Sequence, residues 1–505
     1  MKTRFPLALT LIISVVLAWP GPDAGAQSAG SIDRSFNAPT NIGAVLSLAV
    51  QPDDKVVVAG GWLSFGVPPI TFVRLLSDGA LDPDFDTGAG PDASVAKVVL
   101  LEDGKMFIGG EFTTYNNILR TGLARVNSDG SLDATFADAG LDGPVNNIAL
   151  QSDGRLIITG GFSQIHGIPR LRIARLHPDG LLDMAFNPGP QFLPANLNPP
   201  TFYAIAIQPN GKILLGGSFG DGTPQTPLNL ARINADGALD ATFQPPELLL
   251  SVFSLALLPD HKLLVGGEFW APAVNLIRLF SNGAWDEAFE ANIGRVSSDP
   301  IVSALLVQPD GRIILGGANI NTAGGLERHL IARLHPDGSG DASFDPGTGP
   351  NFNWVQALAL QADGKLFVGG GFTAFDGVPA PGIARLHNDS FETRIHFSQT
   401  VYRALESDRV ATITVRRSGA TTSRVRVLYA AHGGTARPGL DYHPAVGYLI
   451  FGPGETVKTF TVRLIDDRKP ENTETILLRL RDRSGALQTA ILTVIDNDAV
   501  RRRLR

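Results

Sequence analysis

One pattern returns about every fifty residues from Val45 to residue 390, and it limits the fold more than any other property of the chain. In its first copy an apolar run ends at Val50, a Gln-Pro-Asp turn follows, and Lys55 leads Val56-Val57-Val58 to Gly60. Next come Phe72-Val73-Arg74-Leu75, an Asp78-Gly79 turn and Leu81-Asp82-x-x-Phe85. The opening basic residue recurs as Lys55, Lys105, Arg155, Lys212, Lys262, Arg312 and Lys365. A glycine stands five residues after each: Gly60, Gly110, Gly160, Gly217, Gly267, Gly317 and Gly370. Two residues further on are Trp62, Phe112, Phe162, Phe219, Phe269, Asn319 and Phe372, an aromatic series that the sixth copy breaks. Each copy then has an arginine, Arg74, Arg125, Arg175, Arg232, Arg278, Arg333 or Arg385. Eight residues after the first six of these stand Asp82, Asp133, Asp183, Asp240, Asp286 and Asp341, each with a phenylalanine three residues later.

The apolar runs are too short for core helices and are bounded by Asp-Gly turns, which tolerate positive φ between strands. Each copy therefore reads as four short strands, the size of one propeller blade. An open solenoid is the alternative way to stack such units. The two ends of the array separate these readings. Ile32-Asp33-x-x-Phe36 is an isolated copy of the last strand, and the copy at Arg385 lacks that strand, with Thr393 at the eighth position. A borrowed strand would remove both exposed sheet edges. The expectation is an all-β chain whose seven-bladed β-propeller is closed by an N-terminal strand.

Ile173-Ala174-Arg175-Leu176-His177-Pro178-Asp179-Gly180, with Gln208-Pro209-Asn210-Gly211-Lys212, resembles the delta-60 repeat family. That resemblance covers roughly residues 30–390 and implies tandem repeats of bacterial exported and surface proteins, often beside adhesion-like modules. It implies no assigned activity, so no catalytic residue is transferred.

The repeated Arg and Asp read as a structural ion pair across a turn, and the repeated phenylalanines as packing between units. The glycines read as points of close backbone approach or positive φ. An active site needs one differentiated group of residues, and these occur in every copy. His177, His335 and His387 share one tolerant repeat position and do not form a metal set. Residues 187–201 and 220–227 interrupt the array and are the candidate specificity loops.

Residues 1–26 carry the marks of a signal peptide: Lys2 and Arg4, an apolar run from Leu7 to Trp19, and Ala24-Gly25-Ala26 before Gln27. The expected destination is secreted, extracellular or cell-surface, with the periplasm included, and no transmembrane segment in the mature chain. With no cysteine, the chain has neither disulfides nor thiolate chemistry. The formal charge of −7 argues against a nucleic-acid partner, which calls for a basic stripe.

After Asp389 the fifty-residue pattern stops and alternating strands suggest a β-sandwich of about a hundred residues. Residues 391–505 hold 19 basic and 12 acidic residues, whereas residues 27–390 hold 21 and 36. Within the sandwich, Glu406, Asp441, Asp466, Asp467, Glu471, Asp496 and Asp498 stand at predicted strand ends. Gathered at one pole they would repel one another unless a cation intervened, and hard carboxylate oxygens on loops suit Ca²⁺ better than Zn²⁺. Separate solvated turn residues are the alternative.

Gly433-Gly434-Thr435-Ala436-x-x-Gly439-x-Asp441-Tyr442, Gly447-x-Leu449-x-Phe451-x-x-Gly454-Glu455, Ile465-Asp466-Asp467 and Asp496-x-Asp498 resemble the Calx-beta family. The resemblance covers about 391–498. It implies a β-sandwich with Ca²⁺ held at one end by the seven acids just named. Arg468-Lys469-Pro470 departs from the pattern by placing two positive charges inside the acidic region.

The domain plan is thus 1–26 signal peptide, 27–390 seven-bladed β-propeller, 391–498 Calx-beta β-sandwich and 499–505 basic tail. The leading functional expectation is a non-enzymatic exported binding or adhesion protein, recognising a protein or glycan and contacting a cell surface. A secreted carbohydrate-active hydrolase or lyase is one alternative, with Asp221 and Glu247 as loop acids. A structural cell-surface protein is the other.

Overall fold

The computed structural model describes residues 28–61, 71–188, 192, 199–220, 229–247, 250–269, 273–294, 299–351, 354–389, 394–418, 424–452, 455, 457–467, 469–481 and 487–498. The expected signal peptide at 1–26 and the expected basic tail at 499–505, with Trp62, Asp221, Thr393, Arg468 and most of both interrupting loops, lie outside them.

Seven antiparallel three-stranded sheets occupy the repeat region. In the first, the inner strand Ala44–Val50 pairs with Val56–Gly61, which pairs in turn with Phe72–Leu75. The other six repeat this order, with inner strands Val95–Leu100, Val145–Leu150, Thr201–Ile207, Val252–Leu257, Ile301–Val307 and Val355–Leu360. Each inner strand packs beside that of the next sheet, and Val355–Leu360 packs beside Ala44–Val50.

The fourth strand expected in each unit is reduced to a single bridge, such as Leu75 to Leu81 and Val126 to Leu132. The cause is local. Asp82 N–H bonds to Arg74 C=O at 2.9 Å, and the chain then turns at once, with Phe85 N–H on Asp82 C=O at 3.2 Å. Among the described residues, four units carry an additional hairpin absent from the sequence reading, such as Thr114–Tyr115 with Ile118–Leu119. Its turn residues Asn116 and Asn117 have φ of 52° and 61°, which asparagine tolerates.

The glycine of each unit has a steric role. Every inner strand carries a bulge near its start, in the first sheet between Val45 and Ser47. The carbonyl before the bulge faces the glycine so closely that a Cβ on Gly60 would lie 1.9 Å from Ala44 O, and one on Gly317 1.7 Å from Ile301 O. In the sixth unit, where Asn319 breaks the aromatic series, the neighbouring Ile320 is fully buried against this glycine instead.

The phenylalanines seal the layers between sheets. Phe107 and Phe136 share one core with Leu156, Phe162 and Ile165 of the next unit. Each buried ring stabilises by about 1.5–3 kcal/mol. Above them lies a repeated charge triad. Asp82 accepts Arg74 Nε at 2.6 Å and Lys55 Nζ at 2.9 Å, and Asp240 accepts Arg232 Nε and Lys212 Nζ at 2.6 Å each. Each arginine also reaches forward to the next sheet: Arg125 Nη1 donates to Pro178 O at 3.0 Å and Arg232 Nη1 to Ser281 O at 2.5 Å. Its guanidinium lies over the phenylalanine of its own unit, 4.8 Å from the Phe85 centroid for Arg74. Burial pushes the Asp82 carboxyl up, but hydrogen bonds from Lys55, Asp84 N–H and Arg74 outweigh it, leaving the group below the usual carboxylate range.

The last sheet and the first segment meet through the same chemistry. Ile32 bridges Leu386, and Asp33 N–H bonds to Arg385 C=O at 2.7 Å. Asp33 accepts Arg385 Nε at 2.9 Å, Arg385 Nη2 at 2.8 Å and Lys365 Nζ at 3.2 Å. Phe36 lies under the Arg385 guanidinium at 4.9 Å, and Arg385 Nη1 donates to Ser77 O of the first unit at 2.5 Å.

Residues 394–498 form two sheets around their own core. The four-stranded sheet runs Arg394–Phe397, Val410–Ser418, Val457–Leu464, Tyr442–His443. The five-stranded sheet runs Val401–Leu405, Leu487–Ile495, Glu474–Arg481, Val425–Gly434, Ala445–Phe451. Tyr429 and Phe460 stack between the sheets with centroids 4.1 Å apart. Among the described residues no helix is long and apolar enough to cross a membrane.

Candidate metal centre

Strand register decides which acids of the sandwich meet. Val401–Leu405 and Leu487–Ile495 run parallel with Leu405 opposite Ile495, so Glu406 and Asp496 leave adjacent strand ends together. The antiparallel neighbour starts at that same end, with Glu474 opposite Val494. On the other sheet Tyr442 pairs with Leu464, and Ile465 N–H bonds to Asp441 C=O at 2.9 Å, which sets Asp441 beside the loop carrying Asp466 and Asp467. Glu471 is fastened to Asp496 by its backbone N–H, 2.7 Å from Oδ2.

Carboxylate oxygens of Asp441, Glu471 and Glu474 all lie within 4.8 Å of one another. Asp441 and Glu406 are almost fully buried, each 4% exposed. Burial pushes the Glu406 carboxyl up to about 7, assisted by the negative charges of Asp496, Glu471, Asp467 and Asp441. Glu474 is also pushed up to about 7, by burial, its hydrogen bond with Asp441 and the charges of Asp441 and Glu471, with Arg437 opposing. Glu474 Oε2 is buried with no hydrogen-bond partner among the described residues. The set is thus crowded, oxygen-only and short of positive charge, and it fits a hard divalent cation.

Five of the seven acids singled out in the sequence therefore converge: Glu406, Asp441, Asp467, Glu471 and Asp496. Asp466 instead faces Arg409 at 3.6 Å, and Asp498 places its N–H on Asp496 Oδ1 at 2.7 Å. Glu474 was missed because it reads simply as the first residue of a strand, and only the pairing with Val494 turns it to this pole. The intruding Lys469 is well exposed and, among the described residues, pairs with Asp467 at 3.1 Å. Of the loop acids considered for glycan chemistry, Glu247 is exposed.

Residues 388–498 match the model of the Calx-beta domain. Seven segments, 51–85, 101–136, 151–186, 208–243, 258–289, 308–344 and 361–390, match a domain of unknown function (DUF5122) described as a beta-propeller. A β-propeller-like repeat region is thus followed by a Calx-beta domain. The C-terminal region is 36% identical over 99 residues to sodium/calcium exchanger 1 of Bos taurus, covering 19% of this chain and 10% of that protein. The chain spans about a tenth of the length of such curated relatives. Among solved structures, the apo-form Calx CBD1 domain is 28% identical over 21% of this chain and 98% of its own, with a TM-score of 0.20. A gluconolactonase from Xanthomonas campestris is 15% identical over 70% of this chain and 97% of its own, with a TM-score of 0.33.

Proposed function

We propose that the chain is an exported, non-catalytic binding protein in which a recognition scaffold is joined to a Ca²⁺-stiffened sandwich. On this reading residues 1–26 direct export, residues 27–390 form a closed seven-bladed propeller of delta-60 type, residues 391–498 hold the ion, and 499–505 form a basic tail. The observation that carries it is the convergence of Asp441, Glu471 and Glu474 within 4.8 Å, beside a Glu406 carboxyl that burial and the surrounding negative charges push up to about 7. Such a pole costs stability when empty and repays it when a divalent cation neutralises it. Calcium is the ion suited to irregular, loop-borne carboxylates, and it appears in the names of the exchangers that the sandwich is similar to. Glu406, Asp441, Asp467, Glu471, Glu474 and Asp496 are the ligand candidates, with Asp466 and Asp498 in reserve at the margin. Closure of the propeller is supported by the Ile32–Leu386 bridge and the buried Asp33–Arg385 pair.

Calcium titration of the full chain, followed by calorimetric melting, tests the ion. The expected result is a saturable rise in the sandwich transition that chelation reverses. No shift at millimolar Ca²⁺ would remove the ion from this reading.

A further inference from the structure

The inner strands enclose a second feature, which the repeat pattern does not require. Where the seven strands face one another they line a cavity of about 270 Å³, with residues from all seven sheets on its wall. The bulge described above puts one residue per sheet there, and the residue after it forms the next level. At that next level the seven positions hold Ser47, Lys97, Asn147, Ala204, Ser254, Ala304 and Ala357. Six are neutral and Lys97 is charged.

Structural demands account for most of the polar groups on this wall. Ser47 Oγ accepts Val98 N–H at 3.2 Å, Asn147 Nδ2 donates to Tyr203 O at 2.9 Å, and Ser254 and Ser303 bond carbonyls of the next sheet at 3.1 and 2.8 Å. These bonds tie neighbouring sheets together. Lys97 does nothing of the kind: its ammonium has no hydrogen-bond or ion-pair partner among the described residues, and no carboxylate lines the cavity. Every basic residue of the seven triads, by contrast, is matched to an aspartate. The side-chain amides of Asn146 and Gln356 also remain on the wall, and Tyr203 and Phe253 form an aromatic pair there with centroids 4.8 Å apart. Tyr203 is 38% exposed, so solvent reaches the wall.

We propose that this channel is a binding site for a small organic carboxylate, its charge on Lys97 and its body against Tyr203 and Phe253. One ammonium matches one negative charge, whereas a phosphate dianion would call for more donors or a guanidinium fork. The remaining amides offer neutral donors and acceptors to hydroxyl groups, and the aromatic pair offers a flat apolar face, the usual make-up of a small-molecule site. Burial alone pushes the Lys97 ammonium below the usual lysine value, and an arriving carboxylate would offset that cost. This inference deepens the reading of the repeat region as a recognition scaffold and is independent of the ion in the sandwich.

The test is calorimetric titration of the full chain with benzoate, glucuronate and inorganic phosphate, with glucose as the neutral control. Saturable binding of either carboxylate, weakened at least about 10-fold by Lys97→Ala and retained by Lys97→Arg, is expected. Alanine already stands at this level in three other sheets, so Lys97→Ala is expected to fold; Lys97→Gln serves in its place if it does not. Equal affinity in the charge-removing variant, tighter binding of phosphate than of both carboxylates, or no saturable binding of any of the three overturns the proposal. Calcium-dependent melting of the same samples reports the sandwich separately, so the two readings fail independently.

Discussion

Replacing Asp33 by asparagine isolates the joint between the two ends of the repeat array. The carboxylate is 4% exposed and accepts both Arg385 and Lys365, while the Arg385 side chain is itself 4% exposed. Asparagine keeps the shape and the bonds from Ser35 in large part, but it leaves the Arg385 guanidinium buried without its counter-charge. Breaking a buried pair in this way costs about 3–5 kcal/mol, and Lys365, with 30% of its side chain exposed, can turn to water without a comparable loss. For a cooperative unit of ~360 residues unfolding with about 2 cal/mol/K per residue, that loss lowers Tm by roughly 4–7 °C. Tryptophan emission is the right probe, because all five tryptophans precede residue 355 and the sandwich has none. Asp183→Asn, which strips the same kind of triad inside the array, is the internal reference. Adding Arg385→Met to Asp33→Asn is expected to recover part of the loss by removing the orphaned charge. A shift under about 1 °C for Asp33→Asn, beside a full shift for Asp183→Asn, would refute the reasoning, since the terminal segment would then contribute nothing to its sheet.

The pH responses of the two regions are expected to oppose each other. The triad aspartates, including Asp82, Asp183, Asp286 and Asp341, titrate below their unfolded value of 3.8, so their stabilisation is present above that value and lost as pH falls through the folded one; acid titration of tryptophan emission reads this. Glu406 and Glu474 titrate near 7, above their unfolded value of 4.5, so without metal their contribution is present below 4.5 and lost as pH rises through 7. Calorimetry at about pH 5.5 and about pH 8 is expected to show the sandwich melting earlier at the higher pH, and Ca²⁺ to abolish the difference. Glu474→Gln is expected to weaken Ca²⁺ binding about 10-fold or more by direct titration; unchanged affinity would take it out of the ligand set. Gly317→Ala, which drives a Cβ onto the Ile301 carbonyl, is expected to cost at least about 1–3 kcal/mol in denaturant melts.

Much of the architecture was legible because repetition averages out local accident. Arg125 and Asp133 alone are two charges eight positions apart, but six such spacings identify a paired brace. Their third member, Lys105 or its equivalents, was not read as part of it, since it stands just before another strand, 28 residues away, and only sheet register brings it to Asp133. The length of the fourth strand was misread for a related reason: hydrophobic pattern marks where a strand starts, whereas the immediate turn at Asp82 is a hydrogen-bond event. In the sandwich, acidic residues at strand ends were visible, but which of them share a pole depends on the parallel pairing of Leu405 with Ile495. Asp466 was read as an acid at a predicted strand end, and the structure sets it 3.6 Å from Arg409, on the neighbouring strand end.

Seven braces share one chemistry, yet six join residues eight positions apart and the seventh joins residues 352 positions apart. If both partners were free coil, tethering the distant pair would carry about 3 kcal/mol more closure entropy than tethering a near one. During vectorial synthesis that difference becomes a delay. Six braces can form as their hairpins emerge, while Asp33 must wait unclaimed until Arg385 arrives. The final snap therefore comes after the other layers have stacked and have already carried the two partners into reach, which makes this junction the expected last step of assembly and the first to open under load.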